Sequence, residues 1–212
     1  MINARGLLAA TSNGTNDRGV FGGGYSSDAI EYITISTAGN ASSFGTLTGT
    51  RQSLSATSSG TDERGVFGGG YDGLQKNTVD YITISTTGNA SDFGDLTSNR
   101  ETLAATSNAG SNRGAFGGGY DGGGYRNTID YITISTTGNA SDFGDLTVAR
   151  GYLSATSNGT DDRGVFGGGY NGSSQLIDYI TISIAGNASD FGDLTSGRDS
   201  LAATSDFADL GC

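Results

Sequence analysis

RGVFGGGY, residues 64–71, sets two apolar side chains directly before three glycines and a tyrosine. The same eight residues recur at 18–25 and 163–170, with RGAFGGGY at 113–120. One copy could be a turn or a phosphate loop, but four copies require an architectural reason. Aligned on itself, the chain yields one unit: R-x-x-L-[SA]-A-T-S, a short polar turn, R-G-[VA]-F-G-G-G-Y, a variable insert, [DE]-Y-I-T-I-S, then G-N-A-S-x-F-G-x-L-T. The tyrosines that open YITIS are Tyr32, Tyr81, Tyr131 and Tyr179, spaced 49, 50 and 48 residues apart. A fixed period of this length marks a stacked or ring-like repeat.

Each unit contains four segments with strand character and none with helical periodicity. YITIS alternates isoleucine with threonine and serine, the period of a strand with one apolar face. In GVFGGGY, Val66, Gly68 and Gly70 are expected on one side and Phe67, Gly69 and Tyr71 on the other. Glycine there weakens the strand but admits a neighbouring backbone. LSATS offers Leu54, Ala56 and Ser58 to one side, a mostly small set suited to a crowded axis. ASDFGDLT carries one aromatic anchor, Phe93, with Phe44, Phe143 and Phe191 in the other units. Four strands in about 49 residues predict an all-β propeller blade. The expected domain is 1–205, with repeats at 5–50, 51–99, 100–149 and 150–197, an extra strand a at 198–205 and a tail at 206–212.

The residues resemble the kelch repeat. In that family an arginine opens strand a, an apolar pair before Gly-Gly ends strand b, a tyrosine sits in strand c and an aromatic residue anchors strand d. Arg51, Val66-Phe67-Gly68-Gly69, Tyr81 and Phe93 fill these places, and the other units follow. Phenylalanine in place of the usual tryptophan marks a divergent branch. The wording DYITISTTGNASDFGDLT followed by R-x-x-L-x-A-T-S and RGVFGGG is similar to kelch-like virion proteins of phages that infect marine cyanobacteria. That resemblance implies a tail- or fibre-associated virion protein that contacts other virion proteins or a host surface glycan. A bacterial lectin-like or protein-binding propeller, in the cytoplasm or at the cell surface, is the alternative.

Composition narrows the function classes. The 212 residues include 38 glycines and no proline, tryptophan or histidine, and the net charge is −11 with Lys76 as the single lysine. So acidic a chain is poorly matched to nucleic acid phosphates or an anionic membrane. No stretch approaches the length of a membrane helix, and MINARGLLAATSNG lacks the apolar core of a secretory signal. Without histidine, and with one cysteine at position 212, neither a Ser-His-Asp nor a Cys-His arrangement can form, and zinc sites built on those ligands are excluded. Asp92 with Asp95 is a possible carboxylate pair, but three residues apart on a strand they should face opposite sides. The expectation is a non-enzyme without a cofactor. Calcium at Asp62-Glu63 or Asp161-Asp162 competes with a simpler reading of these residues as solvated acidic turns.

Two arginines recur in most units 13 residues apart, as in Arg51 and Arg64. They could ring an anion- or glycan-facing mouth, or they could bond the acidic turns (Asp17, Glu63, Asp162) and strand-end carbonyls. The four GNAS copies, at Asn40, Asn89, Asn139 and Asn187, are expected to form turns. The b–c inserts SSDA (26–29), DGLQKNT (72–78), DGGGYRNT (121–128) and NGSSQL (171–176) vary while their flanks do not, as do the d–a connections GT, SN, VA and SG. A rigid scaffold with variable loops is a usual recognition arrangement, and in kelch propellers these two loop sets share a face. The candidate binding residues are Gln75, Lys76, Asn77, Asp121, Tyr125, Arg126, Tyr152 and Asn171.

Strand a occurs five times, from Arg5, Arg51, Arg100, Arg150 and Arg198, whereas b, c and d occur four times. Either the C-terminal strand completes the first blade and leaves residues 8–12 surplus, or four blades are complete and the last strand adds elsewhere. A homo-oligomeric ring is a further possibility.

Overall fold

The computed structural model describes residues 4–12, 16–60, 63–108, 112–158, 162–171 and 174–204. The tail 206–212 with Cys212, together with Asp62, Asp161 and Ser205, lies outside the described residues. The fold is all-β and propeller-like, with sixteen strands among the described residues in four antiparallel sheets of four. The first sheet is β1 (Ala9–Thr11), β2 (Arg18–Gly22), β3 (Ala29–Thr34) and β4 (Ser42–Thr46). The second is β5 (Ser55–Ser58), β6 (Arg64–Gly68), β7 (Thr78–Thr83) and β8 (Ser91–Asp95). The third is β9 (Ala104–Asn108), β10 (Arg113–Gly117), β11 (Thr128–Thr133) and β12 (Ser141–Asp145). The fourth is β13 (Ser154–Ser157), β14 (Arg163–Gly167), β15 (Leu176–Thr181) and β16 (Ser189–Asp193). Each sheet is one repeat, with its strands paired in sequence order a-b-c-d.

The first sheet uses its own β1, so the C-terminal segment does not complete it. Residues 198–204 instead take a fifth strand-a position beside the fourth sheet. The Gly169 N–H donates to the Arg198 carbonyl at 2.9 Å, as Gly70 does to Arg100 (2.8 Å) and Gly119 to Arg150 (2.9 Å). Among the described residues, 201–204 carry no ladder to a neighbouring strand.

The cores lie between sheets. Val20, Ile30, Phe44 and Leu47 of the first sheet pack on Leu54, Phe67, Ile82 and Ile84 of the second. Val66, Val79, Phe93 and Leu96 pack in the same way on Leu103, Phe116, Ile132 and Ile134. Ala115, Ile129, Phe143 and Leu146 then pack on Leu153, Phe166, Ile180 and Ile182. Phe67, Phe116 and Phe166 are fully buried, and the glycine that ends strand b in each of the first three sheets is the seat for the next sheet's phenylalanine. A Cβ on Gly22, Gly68 or Gly117 would stand 2.7 Å from that ring. Glycine is therefore required by contact, and removing such a ring costs about 3–5 kcal/mol.

Three details differ from the sequence expectation. Strand b stops at Gly68; Gly69 and Gly70 have φ of +68° and +114°, so the alternation does not continue to Tyr71. Strand c covers Thr78–Thr83 rather than YITIS, and the turn is at 83–86, where the Thr86 N–H donates to the Thr83 carbonyl at 3.0 Å. The GNA residues are thus free to reach the preceding sheet. Gly88 and Ala90 donate to the Phe44 and Thr46 carbonyls at 2.9 and 2.8 Å, and Asn89 Oδ1 accepts from the Thr46 N–H at 3.1 Å. Asn139 and Asn187 accept from Asp95 and Asp145 in the same way, so GNAS staples the second, third and fourth sheets to the outer strand before each. Finally, the c–d register shifts between Val79 and Asp80, leaving Asp92 opposite Asp80 and Asp95 opposite Thr78. Thr78 and Asp80 are two apart on one strand, so the bulge brings Asp92 and Asp95 to one face, contrary to the expectation for an unbroken strand.

Candidate functional site: the loop face

The arginine that opens each unit is structural. Arg100 is fully buried, its guanidinium 2.5 Å from Asp130 on β11, and it donates to the Gly118 and Thr128 carbonyls at 2.7 Å each. Asp130 also accepts from the N–H (3.1 Å) and hydroxyl (2.5 Å) of Thr97, on the connection from the preceding sheet. Arg51 with Asp80 and Arg150 with Asp178 repeat this, and Arg5 with Glu31 is the N-terminal version. Burial pushes the Arg100 pKa down, while the charge of Asp130 and the hydrogen bond to it oppose the shift. These side chains anchor the d–a connections and form no open mouth.

The second arginine of each unit also binds internally. Arg18, Arg64, Arg113 and Arg163 lie over the rings of Tyr32, Tyr81, Tyr131 and Tyr179 at 4.5 to 4.8 Å. The first three of these arginines donate to the Ile84, Ile134 and Ile182 carbonyls of the next sheet. The acidic turn residues serve the strand ends instead: Glu63 accepts from Ser85, and Asp162 and Asp17 accept from Ser183 and Ser36. No group of three or more acidic or cysteine side chains converges as a metal site among the described residues.

With both arginine sets internal, the b–c inserts and d–a connections carry the variable chemistry, and they share one face. The opening arginines after Arg5 donate their N–H groups to the carbonyls of the insert before them: Arg51 to Ser27, Arg100 to Lys76, Arg150 to Arg126 and Arg198 to Ser174. Asn171 Nδ2 donates to the Ala149 carbonyl at 2.9 Å, tying the fourth insert to the third d–a connection. At the centre of this face are Leu7, Ser53, Thr102, Tyr152 and Ser200, all in left-handed conformations with φ of 54° to 60°. A chain of hydrogen bonds holds them, Ser53 to Leu7, Thr102 to Ser53, Tyr152 to Thr102 and Ser200 to Tyr152, at 2.8 to 2.9 Å. A β-branched residue such as Thr102 rarely adopts this conformation, so the strain is maintained by the packed inner strands.

Tyr125 stands where Gln75 stands in the previous unit: each forms an isolated bridge to the tyrosine that ends GGGY, Tyr120 and Tyr71 respectively. The Tyr125 ring lies 5.4 Å from that of Tyr120 and 5.8 Å from that of Tyr170 on the next sheet, so three aromatic rings run across two units. It lies over Gly151, where a Cβ would be 3.0 Å from the ring. Desolvation, then Tyr152, Tyr170, Tyr120 and Asp199, raise the Tyr125 pKa above the ordinary tyrosine value. Gln75 Nε2 donates to Glu101 Oε1 at 3.0 Å beside this run. The third insert is held open by Asp121, whose Oδ1 accepts from the Gly123 and Gly124 N–H groups at 2.9 Å and whose Oδ2 accepts from Arg126 Nε at 2.6 Å. Desolvation pushes the Asp121 pKa up, but these donors outweigh it and hold it below the ordinary value.

The structure therefore gathers Gln75, Tyr125 and Tyr152, with Asp121 and Arg126 shaping the insert. Lys76 pairs with Asp72 at 3.0 Å, Asn77 serves the scaffold through its carbonyl, which accepts from Leu96 at 2.8 Å, and Asn171 braces a connection. Tyr120, Tyr170 and Glu101 belong to the cluster but were not legible in sequence. The two tyrosines sit in the repeated GGGY, which reads as scaffold, and only the aromatic at 125 makes them part of a surface. Among known proteins, no family model and no curated protein matches this chain.

Proposed function

We propose that the chain is a non-catalytic recognition module that binds a surface glycan through its loop face. The observation that carries this reading is the run of Tyr120, Tyr125 and Tyr170, with Tyr152 alongside and the Gln75–Glu101 pair at its edge. Flat apolar rings next to amide and carboxylate groups are the chemistry a pyranose needs, with its apolar face against the ring and its hydroxyls bonded to the rim. A rigid β scaffold beneath the loops limits the ordering cost of binding.

The kelch-like repeat pattern, and its resemblance to virion proteins of marine cyanobacterial phages, support placing this activity on a phage tail or fibre, where host glycans and neighbouring virion proteins are the ligands. A bacterial lectin-like propeller would use the same face. Glycan-array binding by the full chain, with Tyr125→Ala lowering affinity by at least tenfold and leaving thermal stability within a few degrees, is the expected result. Binding unchanged by Tyr125→Ala, or the absence of any glycan ligand, would refute the assignment.

A further inference from the structure

The residue that follows each opening arginine varies along the chain: Gly6, Gln52, Glu101, Gly151 and Asp199. Gln52, Glu101 and Gly151 form isolated bridges to the tyrosines that end GGGY, Tyr71, Tyr120 and Tyr170 respectively. The Tyr125 ring occupies space that a side chain at 151 would need, since a Cβ there would stand 3.0 Å from the ring and 2.7 Å from Thr102 Oγ1. Glycine at 151 thus lets Tyr125 settle between Tyr120 and Tyr170. The same repeat position carries a carboxylate in the units to either side, Glu101 before and Asp199 after. Asp199 is near enough for its charge to act on the Tyr125 hydroxyl.

The charge around this aromatic run is one-sided. Glu101 accepts from the neutral Gln75 amide at 3.0 Å and Asp199 from the Ser200 hydroxyl at 2.9 Å, and among the described residues neither forms an ion pair. The basic side chains of the inserts are already engaged, Lys76 with Asp72 at 3.0 Å and Arg126 with Asp121. Arg51, Arg100 and Arg150 are buried in their own pairs, and Arg198 turns to Ser196 Oγ at 2.8 Å. Thr102 Oγ1, against Gly151, is buried without a hydrogen-bond partner. What stays uncompensated is therefore negative: two carboxylates, the electron-rich faces of the tyrosines and one hydroxyl oxygen. Such surroundings attract an ammonium and repel a carboxylate or a sulfate.

We propose that the aromatic run selects amino sugars, a 2-amino-2-deoxyhexose unit placing its free ammonium over a tyrosine face with Glu101 and Asp199 as counter-charges. This rests on the glycan reading above and narrows it. N-acetylation of the same nitrogen removes the charge and with it the attraction to both carboxylates. Uronic and sialic acids are turned away by the same two groups.

The probes are the glucosamine tetrasaccharide, its fully N-acetylated form and tetragalacturonate, each titrated calorimetrically into the full chain. The glucosamine tetrasaccharide should bind about tenfold tighter than the N-acetylated one, and tetragalacturonate should not bind. In about 0.5 M NaCl that preference should shrink, because exposed charges are screened. Glu101→Gln with Asp199→Asn should reduce the preference to about threefold or less while the N-acetylated probe binds as before, and Tyr125→Ala should weaken both. Asp92→Asn with Asp142→Asn removes the same charge from exposed positions on β8 and β12 and should leave the preference unchanged. Equal or tighter binding of the N-acetylated or acidic probe would overturn the amino-sugar assignment and leave the glycan reading standing, whereas binding of no saccharide would remove both. A preference that falls equally in the Asp92/Asp142 variant, or tetralysine binding as tightly as the glucosamine probe, would also overturn it, since net charge alone would then account for the attraction.

Discussion

Replacing Asp130 with asparagine removes one charge from a site that is fully buried on both sides of the ion pair. The Arg100 guanidinium keeps the Gly118 and Thr128 carbonyls but loses its counter-ion, and Thr97 keeps one oxygen acceptor in place of a carboxylate. Leaving a buried charge uncompensated costs about 3–5 kcal/mol, a large share of the roughly 5–15 kcal/mol available to a domain. With a urea slope of about 2 kcal/mol per M, the unfolding midpoint should fall by roughly 2 M, read by circular dichroism at 10 °C so that the variant remains folded at zero denaturant. Asp121→Asn is the control: Arg126 is 47% exposed, so its pair is screened and the change should be about 1 kcal/mol or less. The double substitution Arg100→Met with Asp130→Leu should recover most of the loss, because it removes both desolvation penalties together. If Asp130→Asn shifts the midpoint by less than about 0.5 M, burial of this pair does not carry the energetic role assigned here.

Two further outcomes follow from the same contacts. Gly117→Ala should destabilise by about 1–3 kcal/mol because its Cβ meets the Phe166 ring at 2.7 Å, while Gly167→Ala, at the same repeat position, should be neutral or stabilising by under about 1 kcal/mol; equal effects in urea unfolding would contradict the seat model. Asp121 has a lowered folded pKa, so its contribution is present above the ordinary aspartate value of about 3.9 and fades as pH falls through the folded value. Hydrogen exchange at Gly123 and Gly124, corrected for intrinsic rates, should therefore rise relative to Asp121→Asn only in that acidic window.

The period, the four strands per unit and the all-β class were determined by the sequence alone, because period-two alternation and glycine placement are local properties repeated four times. Close packing at RGVFGGGY was also legible, since glycine beside two apolar residues in four copies admits a neighbour, but that Gly69 and Gly70 turn the chain out of the strand was not. The partners of the charged residues were not. Asp80, Asp130 and Asp178 lie in apolar strands, and their arginines sit 28 to 30 residues away, so only the folded sheet shows that they form buried pairs. The same holds for GNAS: its composition predicts a turn, but its backbone groups are satisfied by a strand more than 40 residues earlier in the chain. Tyr125 stood out in sequence because it differs from the residues at its repeat position. Tyr120 and Tyr170 did not, because an invariant residue acquires a new role only when a variable one is packed against it. What tertiary structure alone decided is where the repeat is left unsatisfied. Identical residues are buried in one unit and exposed in another, and nothing in their sequence distinguishes Phe143 from Phe191. The difference lies in whether a neighbouring sheet is present to cover them.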